Sequence, residues 1–271
     1  MLDATTSKDW RQLLRDGSFI NGAFREGSSQ FDVVDPATGG FLASVHDAGI
    51  AELNSAIDAA DEAFSSWRSK TATERASFLW AWHAQIASHA DPLSELLTRE
   101  QGKPLAEAKA EIAYAASFVS WFAEEARRAY GETIPTDRPG QEYLVVQEPV
   151  GVCAAITPWN FPSAMITRKV APAIAAGCTV VVKPAAETPL SALALAVLAE
   201  RAGAPKGLIN IVAGTDAVGL GKKLCDDMRV RKLSFTGSTR GGRILAEQSG
   251  ATVKRLSLEL GGNAPCIVFA D

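Results

Sequence analysis

The stretch that decides the fold is GVCAAITPWNFP at 151–162, where an apolar segment is followed by a short segment that contains two prolines. GVCAAI predicts a buried strand, and Pro158 and Pro162 restrict the backbone that follows it. Phe161 precedes a proline and is therefore expected to be extended, while Pro162 suits the first position of a helix. The stretch predicts a strand-to-helix corner with Asn160 at the carboxyl end of the strand.

The Asn160 side chain offers two N–H donors at this corner. Open α/β sheets bind ligands at the carboxyl ends of their strands, and such donors suit an oxygen that gains negative charge during a reaction. The alternative is an asparagine that bonds the turn backbone, the more common role of an isolated Asn before a proline. The motifs further along the chain favour the role at a reacting oxygen.

Strands and helices alternate strictly from residue 151 onward. Strands are predicted at 151–156, 178–182, 208–212, 231–235 and 253–259, and helices at 163–176, 190–202, 218–225 and 242–248. This alternation predicts an α/β fold with a Rossmann-like, doubly wound parallel sheet. The usual GxGxxG fingerprint is absent, because the segment 214–219 keeps only its outer glycines.

The first half of the chain predicts hairpins at 18–24 and 30–45, and then helices at 50–67, 75–90 and 104–130. We expect its aromatic residues to pack in the core: Trp67, Phe78, Trp80, Trp82, Trp121 and Phe122. The segment 132–149 has two extended arms about an Arg-Pro-Gly turn. An isolated hairpin is marginal in water, so a subunit partner or a missing part of the chain is expected to pair with it.

Three regions follow: 1–131 as the N-terminal part of the cofactor-binding domain, 132–150 as an oligomerisation hairpin and 151–271 as the dinucleotide-binding layer. The net charge of −4 over 271 residues argues against a nucleic-acid binder. No apolar run reaches membrane-spanning length, and the N-terminal MLDATTSKDWRQLL lacks the apolar core of a secretory signal. The four cysteines lack metal-ligand spacing and are expected to be buried free thiols, so no metal site and a cytoplasmic setting are predicted.

Two motifs at strand ends suit a phosphate-bearing ligand. Lys183 ends the strand CTVVVK, where an ammonium can bond ribose hydroxyls or phosphates, although a solvated lysine is the simple alternative. FTGS at 235–238 leads into a helix, and Gly237 permits close approach of a ligand. Ser238 can donate to a pyrophosphate near the helix N-terminus or serve as an ordinary N-cap, and both roles are compatible.

The segment LSLELGG at 256–262 places Ser257 and Glu259 on one face of a strand. A parallel strand is expected to be buried on both faces, so a carboxylate at its carboxyl end needs a task or a partner. Partial burial would raise the pKa of Glu259 towards the range that suits a general base. We therefore expect Asn160 and Glu259 to face a common cleft.

PWNFP, VVKPAAETPL, FTGS and LELGG, in this order and spacing, resemble the aldehyde dehydrogenase superfamily, and NFPSAMITRK and ELGGNAP resemble its succinate-semialdehyde dehydrogenases. The resemblance implies that a cysteine thiolate attacks the aldehyde, that hydride passes to a nicotinamide and that water hydrolyses the thioester. It assigns the oxyanion to Asn160 and the activation of water to Glu259. It also implies a homo-dimer or homo-tetramer.

The same resemblance implies the cofactor contacts. Lys183 matches a residue on the adenosine ribose, Gly237 and Ser238 match the pyrophosphate contact, and Leu260 matches a residue beside the nicotinamide. The full set of expected cofactor-binding positions is Ile156, Trp159, Lys183, Ala186, Glu187, Gly219, Phe235, Gly237, Ser238 and Leu260.

Phe161, Met165 and Arg168 fall at i, i+4 and i+7, so they share one helix face. Two apolar residues and a guanidinium suit a short aliphatic chain that ends in a carboxylate. The matching arginine of succinate-semialdehyde dehydrogenases binds the substrate carboxylate, and the alternative is an Arg168 paired with an internal acid. Glutarate semialdehyde stays open, because one methylene shifts selectivity by only about 1–3 kcal/mol.

Three departures from the family pattern matter. Ala186 stands where many NAD-preferring relatives have a glutamate, so NADP is expected to be accepted and slightly favoured over NAD. Gly241 and Gly242 after FTGST are expected to loosen the first helical turn. No cysteine matches the family nucleophile, which lies beyond ELGG, and Cys266 in the strand-like run 266–269 is expected to be packing.

The chain is therefore expected to be an NAD(P)-dependent succinate-semialdehyde dehydrogenase without its catalytic domain, inactive alone because no nucleophile is present. The alternatives are a dehydrogenase for glutarate semialdehyde or another aldehyde, and a non-catalytic dinucleotide-binding or assembly module.

Overall fold

A seven-stranded sheet forms the centre of the structure, a computed structural model that describes residues 9–270. Residues 1–8 and residue 271 lie outside the described residues. Residues 1–8 belong to the N-terminal segment in which no secretory signal is predicted. The strands are β1 (Ser18–Ile20), β2 (Ala23–Arg25), β3 (Ser29–Val34), β4 (Phe41–Asp47), β5 (Glu132–Ile134), β6 (Tyr143–Val145), β7 (Val152–Ile156), β8 (Thr179–Lys183), β9 (Ile209–Ile211), β10 (Val230–Gly237) and β11 (Arg255–Leu260).

The helices are α1 (Ile50–Arg68), α2 (Ala72–Ser88), α3 (Ala90–Gln101), α4 (Leu105–Glu125), α5 (Ala164–Ala175), α6 (Pro189–Arg201), α7 (Ala217–Asp226) and α8 (Thr239–Gly250). Short 3-10 turns lie at Trp10–Leu13 and Ala126–Arg128. Every strand and helix predicted beyond residue 151 is present, with ends that shift by one to three residues.

The sheet order is β11-β10-β7-β8-β9-β1-β2. The five strands from β11 to β9 are parallel, which confirms the predicted doubly wound α/β fold. From β7 the chain moves outward through β8 and β9, and it then returns to the other side of β7 through β10 and β11. The strand order therefore reverses between β7 and β10, the position at which such sheets form a ligand crevice.

The hairpin predicted at 18–24 extends this sheet. β1 lies antiparallel to β9, with Phe19 opposite Ile211, and β2 follows it through a two-residue turn. Asn21 and Gly22 have φ angles of 52° and 74°, the left-handed values that such a turn requires. The N-terminal part is thus joined to the α/β layer beyond residue 151 by backbone hydrogen bonds. β3 and β4 form the second predicted hairpin.

Two buried clusters cover the two faces of the sheet. One face packs against α1, α7 and α8 through Leu53, Val181 and Leu233 among others. The other face packs against α5 and α6, and α2, α3 and α4 extend this second cluster outward. Trp67, Phe78 and Trp82 are buried in it, as predicted.

Two of the aromatic residues expected in the core are instead on the surface. Trp80 is 40% exposed and contacts His83 edge-on, and Trp121 is 64% exposed. Each lies on the outer face of its helix, because the inner faces of α2 and α4 are filled by Leu79 and Val119. α3 is a helix that the sequence patterns do not predict. Its Pro92 is tolerated because it lies in the first turn, where no backbone N–H is needed.

β5 and β6 form the predicted hairpin at 132–149, with Ile134 opposite Tyr143. All six strand residues are exposed, and Leu144 is 73% exposed. Within residues 9–270 these two strands pair only with each other. The apolar side chains of the hairpin therefore lack a covering surface in the part of the chain that the structure describes.

The last strand starts later than predicted. Val253 has a φ of 49°, so β11 begins at Arg255. Lys254 between them is buried, and its Nζ donates to the carbonyls of Leu224, Asp227 and Val230 at 2.9–3.0 Å. This lysine ties the start of β11 to α7 and β10. Within residues 9–270, no helix has the length and apolarity that a membrane crossing would need.

Candidate functional site

The carboxyl ends of four neighbouring strands bring the predicted cofactor residues to one edge of the sheet. Ile156 at the end of β7 lies between Lys183 of β8 and Phe235 of β10. Gly237 of β10 lies beside Leu260 of β11. The parallel register alone explains this arrangement, since residues that end parallel strands meet at the same edge.

The corner after β7 starts with a hydrogen bond from Thr157 N–H to the Lys183 carbonyl at 3.2 Å. Trp159 and Asn160 follow, and both are exposed. Asn160 makes no side-chain bond to the turn among the described residues; its backbone carbonyl accepts a bond from Lys103 Nζ at 2.8 Å. The turn-capping alternative for Asn160 is therefore not what the structure shows.

α5 begins at Ala164, two residues after Pro162. The reason is a carboxylate from α4: Glu111 Oε1 accepts the backbone N–H groups of Ser163 and Ala164 at 3.0 and 3.2 Å. These two donors belong to the end of a helix that has no intrahelical partners for them. The helix predicted at 163–176 thus starts one residue late, and Pro162 precedes it instead of occupying its first position.

The three residues expected to share a substrate-binding face have different surroundings. Phe161 is 42% exposed and stands just before the helix, with Lys103 Nζ 4.1 Å from its ring centroid. Met165 is buried against Ala115 and Ala164, so it packs α5 onto α4. Its expected position on an open substrate face is not what the structure shows, because Ala115 of α4 leaves room for its side chain.

Arg168 is half-exposed and forms an ion pair with Glu259, at 2.8 Å between Nη2 and Oε1. Its guanidinium also lies 5.8 Å from the ring centroid of Phe118. The alternative of an Arg168 paired with an internal acid is therefore realised, and the acid is the candidate general base itself. Any carboxylate ligand that binds Arg168 must compete with Glu259.

Glu259 is less buried than expected. β11 is the outermost strand of the sheet, so the Glu259 side chain is 40% exposed rather than covered on both faces. Thr236 on β10 lies opposite, and its hydroxyl donates to Glu259 Oε2 at 3.4 Å. The expected burial of this carboxylate was wrong because the prediction treated β11 as an inner strand.

A cavity of about 400 Å³ lies between α5 and the sheet, and Arg168 and Glu259 stand at its rim. Its wall carries Lys169, whose Nζ contacts Ser234 Oγ at 3.1 Å, and Lys232, which donates to Ser257 Oγ at 2.6 Å. Burial lowers the pKa of Lys169. Asn160 is not among the residues that line this cavity, which lies beneath α5, whereas Asn160 precedes that helix. A cleft shared by Asn160 and Glu259 stays a prediction.

A second cavity, of about 510 Å³, lies beyond the end of β8. It is lined by Trp159, Ala186, Glu187 and Thr188, together with residues of β3 and α3. The Thr188 hydroxyl is buried without a hydrogen-bond partner in the described chain. An orphaned hydroxyl beside an open cavity fits a ligand that carries several oxygen acceptors, such as the ribose and phosphates of a dinucleotide.

Lys183 is only 4% exposed, which excludes the alternative of a solvated lysine. Its Nζ donates to the Pro184 carbonyl at 3.1 Å. Burial lowers the pKa of this ammonium, whereas the carboxylates of Glu187, Asp216 and Asp47 raise it. A buried cation with so few bonds can take further oxygen acceptors at the sheet edge.

The FTGS loop shows the expected N-cap, and the ligand contacts of Gly237 and Ser238 stay predictions. Ser238 is the N-cap of α8 and accepts a bond from Gly241 N–H at 3.1 Å, so the N-cap role is present. A Cβ at Gly237 would lie 2.5 Å from Cζ of Phe235, so only glycine fits over that ring. The Phe235 ring is buried in the core and supports the loop from below; its contact with a cofactor stays a prediction.

Two further glycines have a steric reason. Gly219 donates its N–H to Asp216 Oδ1 at 2.8 Å, and a Cβ there would lie 2.1 Å from Oδ2 of the same carboxylate. A Cβ at Gly242 would lie 2.4 Å from Cδ2 of Leu260. Gly242 therefore lets α8 approach the residue predicted beside the nicotinamide, which is a more specific reason for the glycine than a loosened helical turn.

The cysteines divide into two groups. Cys153, Cys178 and Cys225 are buried free thiols, as expected. Cys266 is exposed, and the run 266–269 forms no strand, so its expected packing role is wrong. Within residues 9–270, no group of three or more His, Cys, Asp or Glu residues could hold a metal ion.

Sequence reasoning missed two residues that hold the corner, Lys103 and Glu111. Their side chains are 8% and 0% exposed, and Nζ lies 2.5 Å from Glu111 Oε2. A signal was available: Glu111 lies on the buried stripe of α4 together with Ala108, Ile112 and Ala115. A carboxylate on the apolar face of a helix predicts a buried partner.

The comparisons with known proteins agree with this architecture. The sequence model of the aldehyde dehydrogenase family matches residues 24–271, and the chain belongs to this family.

One relative is the succinate-semialdehyde dehydrogenase [NADP(+)] of Escherichia coli (strain K12), which is 55% identical over 261 residues. Another is a glutarate-semialdehyde dehydrogenase of Pseudomonas putida, which is 54% identical over 262 residues. Each alignment covers 96% of this chain and 54% of the relative. The crystal structure of succinate-semialdehyde dehydrogenase from Burkholderia pseudomallei has a TM-score of 0.92 and 56% identity, covering 96% of this chain and 54% of that one. The chain thus spans about half the length of the relatives that it matches.

Proposed function

We propose that this chain supplies the dinucleotide-binding part of an NAD(P)-dependent aldehyde dehydrogenase that oxidises succinate semialdehyde to succinate. The observation that carries the proposal is the strand order, which places Lys183, Gly237 and Leu260 at one sheet edge in a chain of the aldehyde dehydrogenase family. The buried ammonium, the glycine and the orphaned Thr188 hydroxyl fit the ribose and phosphates of a dinucleotide. When bound, the dinucleotide accepts a hydride.

In the proposed reaction a thiolate adds to the aldehyde carbon, and the carbonyl oxygen becomes an oxyanion. Asn160 donates its side-chain N–H to that oxygen, which stabilises the charge as it develops. Loss of hydride from the same carbon leaves a thioester. Glu259 then takes a proton from water, the resulting hydroxide attacks the thioester, and the carboxylic acid and the thiolate are released.

For Glu259 to activate water, its carboxylate must first leave Arg168. In the structure the two side chains form an ion pair at the rim of the cavity beneath α5. A substrate carboxylate that binds through Nη2 takes the place of Glu259, because Nη2 is the nitrogen that Glu259 contacts. The substrate itself would then free the base.

The relatives support an ω-carboxylated aldehyde as the substrate, because those named above are described as acting on succinate or glutarate semialdehyde. The two compounds differ by one methylene, which shifts selectivity by only about 1–3 kcal/mol. We propose succinate semialdehyde first, with glutarate semialdehyde as the second candidate. Arg168 would bind the distal carboxylate of either one.

For the cofactor we propose NADP with NAD as an alternative. Ala186 leaves the cavity beyond β8 without a carboxylate at that position, which removes repulsion against a 2′-phosphate. Glu187 next to it is exposed and lowers this advantage. The preference for NADP is therefore expected to be modest.

We further propose that none of the four cysteines of this chain is the nucleophile. Cys153, Cys178 and Cys225 are buried, and Cys266 lies in the exposed segment after Glu259. The exposed hairpin of β5 and β6 is proposed to pair with another polypeptide, most simply in a homo-dimer or homo-tetramer. A non-catalytic assembly role remains the second candidate function, because the hairpin exposes several large apolar side chains, among them Tyr143, Leu144 and Val146.

Two measurements test the proposal. The purified chain is titrated with NADPH and NADH, followed by nucleotide fluorescence, and saturable binding that a Gly237→Val variant loses is expected. A chimera joins residues 9–270 to the remaining half of the Escherichia coli relative and is assayed with succinate semialdehyde. We expect the chimera to be active and the 271-residue chain to be inactive. Activity of the chain alone, or the absence of any dinucleotide binding, would refute the proposal.

A further inference from the structure

Lys103 and Glu111 form a buried ion pair that lies against the corner at 160–164. Lys103 stands in the loop between α3 and α4, and Glu111 lies two turns into α4. The two side chains are 8% and 0% exposed. Removal of one partner of an ion pair so deeply buried strongly destabilises the fold, because the other charge is left without compensation.

The pair is bonded to the corner at both ends. Lys103 Nζ donates to the Asn160 carbonyl at 2.8 Å and lies over the Phe161 ring. Glu111 uses Oε2 for Lys103 and Oε1 for the N–H groups of Ser163 and Ala164. Both oxygens of the carboxylate are thus engaged, and three hydrogen bonds and one cation–π contact link Lys103 and Glu111 to four of the five residues 160–164.

We propose that Lys103 and Glu111 are positioning residues, which fix the backbone from which Asn160 presents its carboxamide. This inference rests on the proposed function of Asn160 as an oxyanion donor. Such a donor must lie within about 3 Å of the developing charge, so a small movement of its backbone removes its effect. Pro158 and Pro162 restrict the corner internally, but neither ties it to the rest of the fold. The ion pair makes that connection.

The geometry also separates this role from general support of the fold. α4 and α5 pack together elsewhere through Ala115, Met165 and Ala164. Apart from the bond between its two partners, the bonds of the ion pair all end within the corner. Loss of the pair is therefore expected to loosen residues 160–164 while α5 stays packed.

The test uses the 271-residue chain labelled with ¹⁵N-asparagine, so that backbone signals of Asn160 and Asn210 are observed together. Asn210 lies in β9, and its side chain donates to the Gly207 carbonyl at 2.8 Å, which makes it a reference for the fold as a whole. The variants are Lys103→Met and Glu111→Gln, with Lys103→Arg as the conservative replacement. Lys109→Met and Glu107→Gln are matched controls, because both residues are exposed on α4.

In Lys103→Met we expect the ¹H–¹⁵N heteronuclear NOE of Asn160 to fall to values typical of a mobile loop, while that of Asn210 is unchanged. Lys103→Arg is expected to retain most of the Asn160 value. In uniformly ¹⁵N-labelled Glu111→Gln, amide exchange of Ser163 and Ala164 is expected to accelerate about tenfold relative to the native chain, because a charged acceptor is replaced by a neutral one. The controls should leave all of these signals unchanged.

Two outcomes overturn the proposal. Unchanged Asn160 signals in Lys103→Met would show that the corner is held without the pair. Equal changes at Asn160 and Asn210 would show that the pair supports the whole fold instead of the corner. Neither measurement uses an aldehyde, so an inactive chimera would refute the proposed function without affecting this result.

If the chimera is active, a second readout links the pair to the chemistry. Lys103→Met is expected to lower kcat with little change in KM, and to have no further effect when Asn160 is already replaced by alanine. Additive losses would mean that Lys103 acts independently of Asn160, contrary to the proposal.

Discussion

Replacement of Glu259 by glutamine should make the chain bind succinate more tightly. In the structure Glu259 contacts Nη2 of Arg168, so a free carboxylate ligand that binds through this nitrogen must displace Glu259. Glutamine has nearly the same shape and keeps an oxygen acceptor, but it carries no charge. The variant therefore removes the competitor and leaves the binding residue in place.

The size of the effect follows from the exposure of the pair. Both side chains are about 40% exposed, and a single contact of 2.8 Å joins them. Exposed pairs of this kind contribute about 0.2–1 kcal/mol. Since 1.4 kcal/mol corresponds to a factor of ten, the expected increase in affinity is at most about fivefold. A fully buried pair would predict a change of a hundredfold or more.

The assay is a titration with sodium succinate at constant ionic strength, followed by the side-chain N–H signal of Arg168 in ¹⁵N-arginine-labelled protein. Glu148→Gln is the matched control. Glu148 lines the same cavity, but it pairs with Arg68 at 3.0 Å. Arg168→Met should abolish the binding in either background.

Equal affinities of the native chain and Glu259→Gln would refute the competition, and so would weaker binding by the variant. Equal tightening by Glu148→Gln would show that the effect comes from the overall charge of the cavity and not from the contact with Arg168. Either result would remove the proposed link between substrate binding and release of the base.

Three further predictions concern stability and cofactor choice. Burial raises the pKa of Glu100 from 4.5 to about 7, so its contribution to the free energy of unfolding is complete below about pH 4.5 and is lost as the pH rises through 7. In urea titrations, the free energy of unfolding of the native chain relative to Glu100→Gln should fall by about 2 kcal/mol between pH 5 and pH 8. Gly207→Ala should cost clearly more stability than Gly203→Ala in the same assay. Both glycines have left-handed φ angles, of 77° and 84°, but of the two only Gly207 would bring a Cβ against backbone, 2.3 Å from the Ala59 carbonyl oxygen. Equal losses would contradict this. Ala186→Glu should weaken binding of NADPH at least about tenfold more than binding of NADH, measured by fluorescence, since a carboxylate beside the 2′-phosphate is repulsive.

The sequence was sufficient for the fold because its signals are local and repeated. Buried runs such as 151–156 and 178–182 alternate with helical patterns, and few topologies accommodate that rhythm. The edge position of β11 could not be predicted from the sequence, because a strand pattern does not show how many neighbouring strands the strand pairs with. Glu259 was consequently expected to be buried.

The site was predicted less completely, for a different physical reason. Motifs identified Asn160, Lys183 and Gly237 because each follows a strand end, and parallel register brings strand ends together. The pairing of Arg168 with Glu259 and the anchoring by Lys103 and Glu111 are contacts between residues far apart in the chain. Such contacts depend on helix packing, which periodicity alone does not determine.

The edge position of β11 also determines how heat should affect this protein. A strand bonded on one side only opens at a lower free-energy cost than a central strand such as β7. On warming, β11 should therefore leave its register with β10 before β7 and β8 separate. Glu259 and Leu260 would then be displaced together, while Ile156 and Lys183 stay paired.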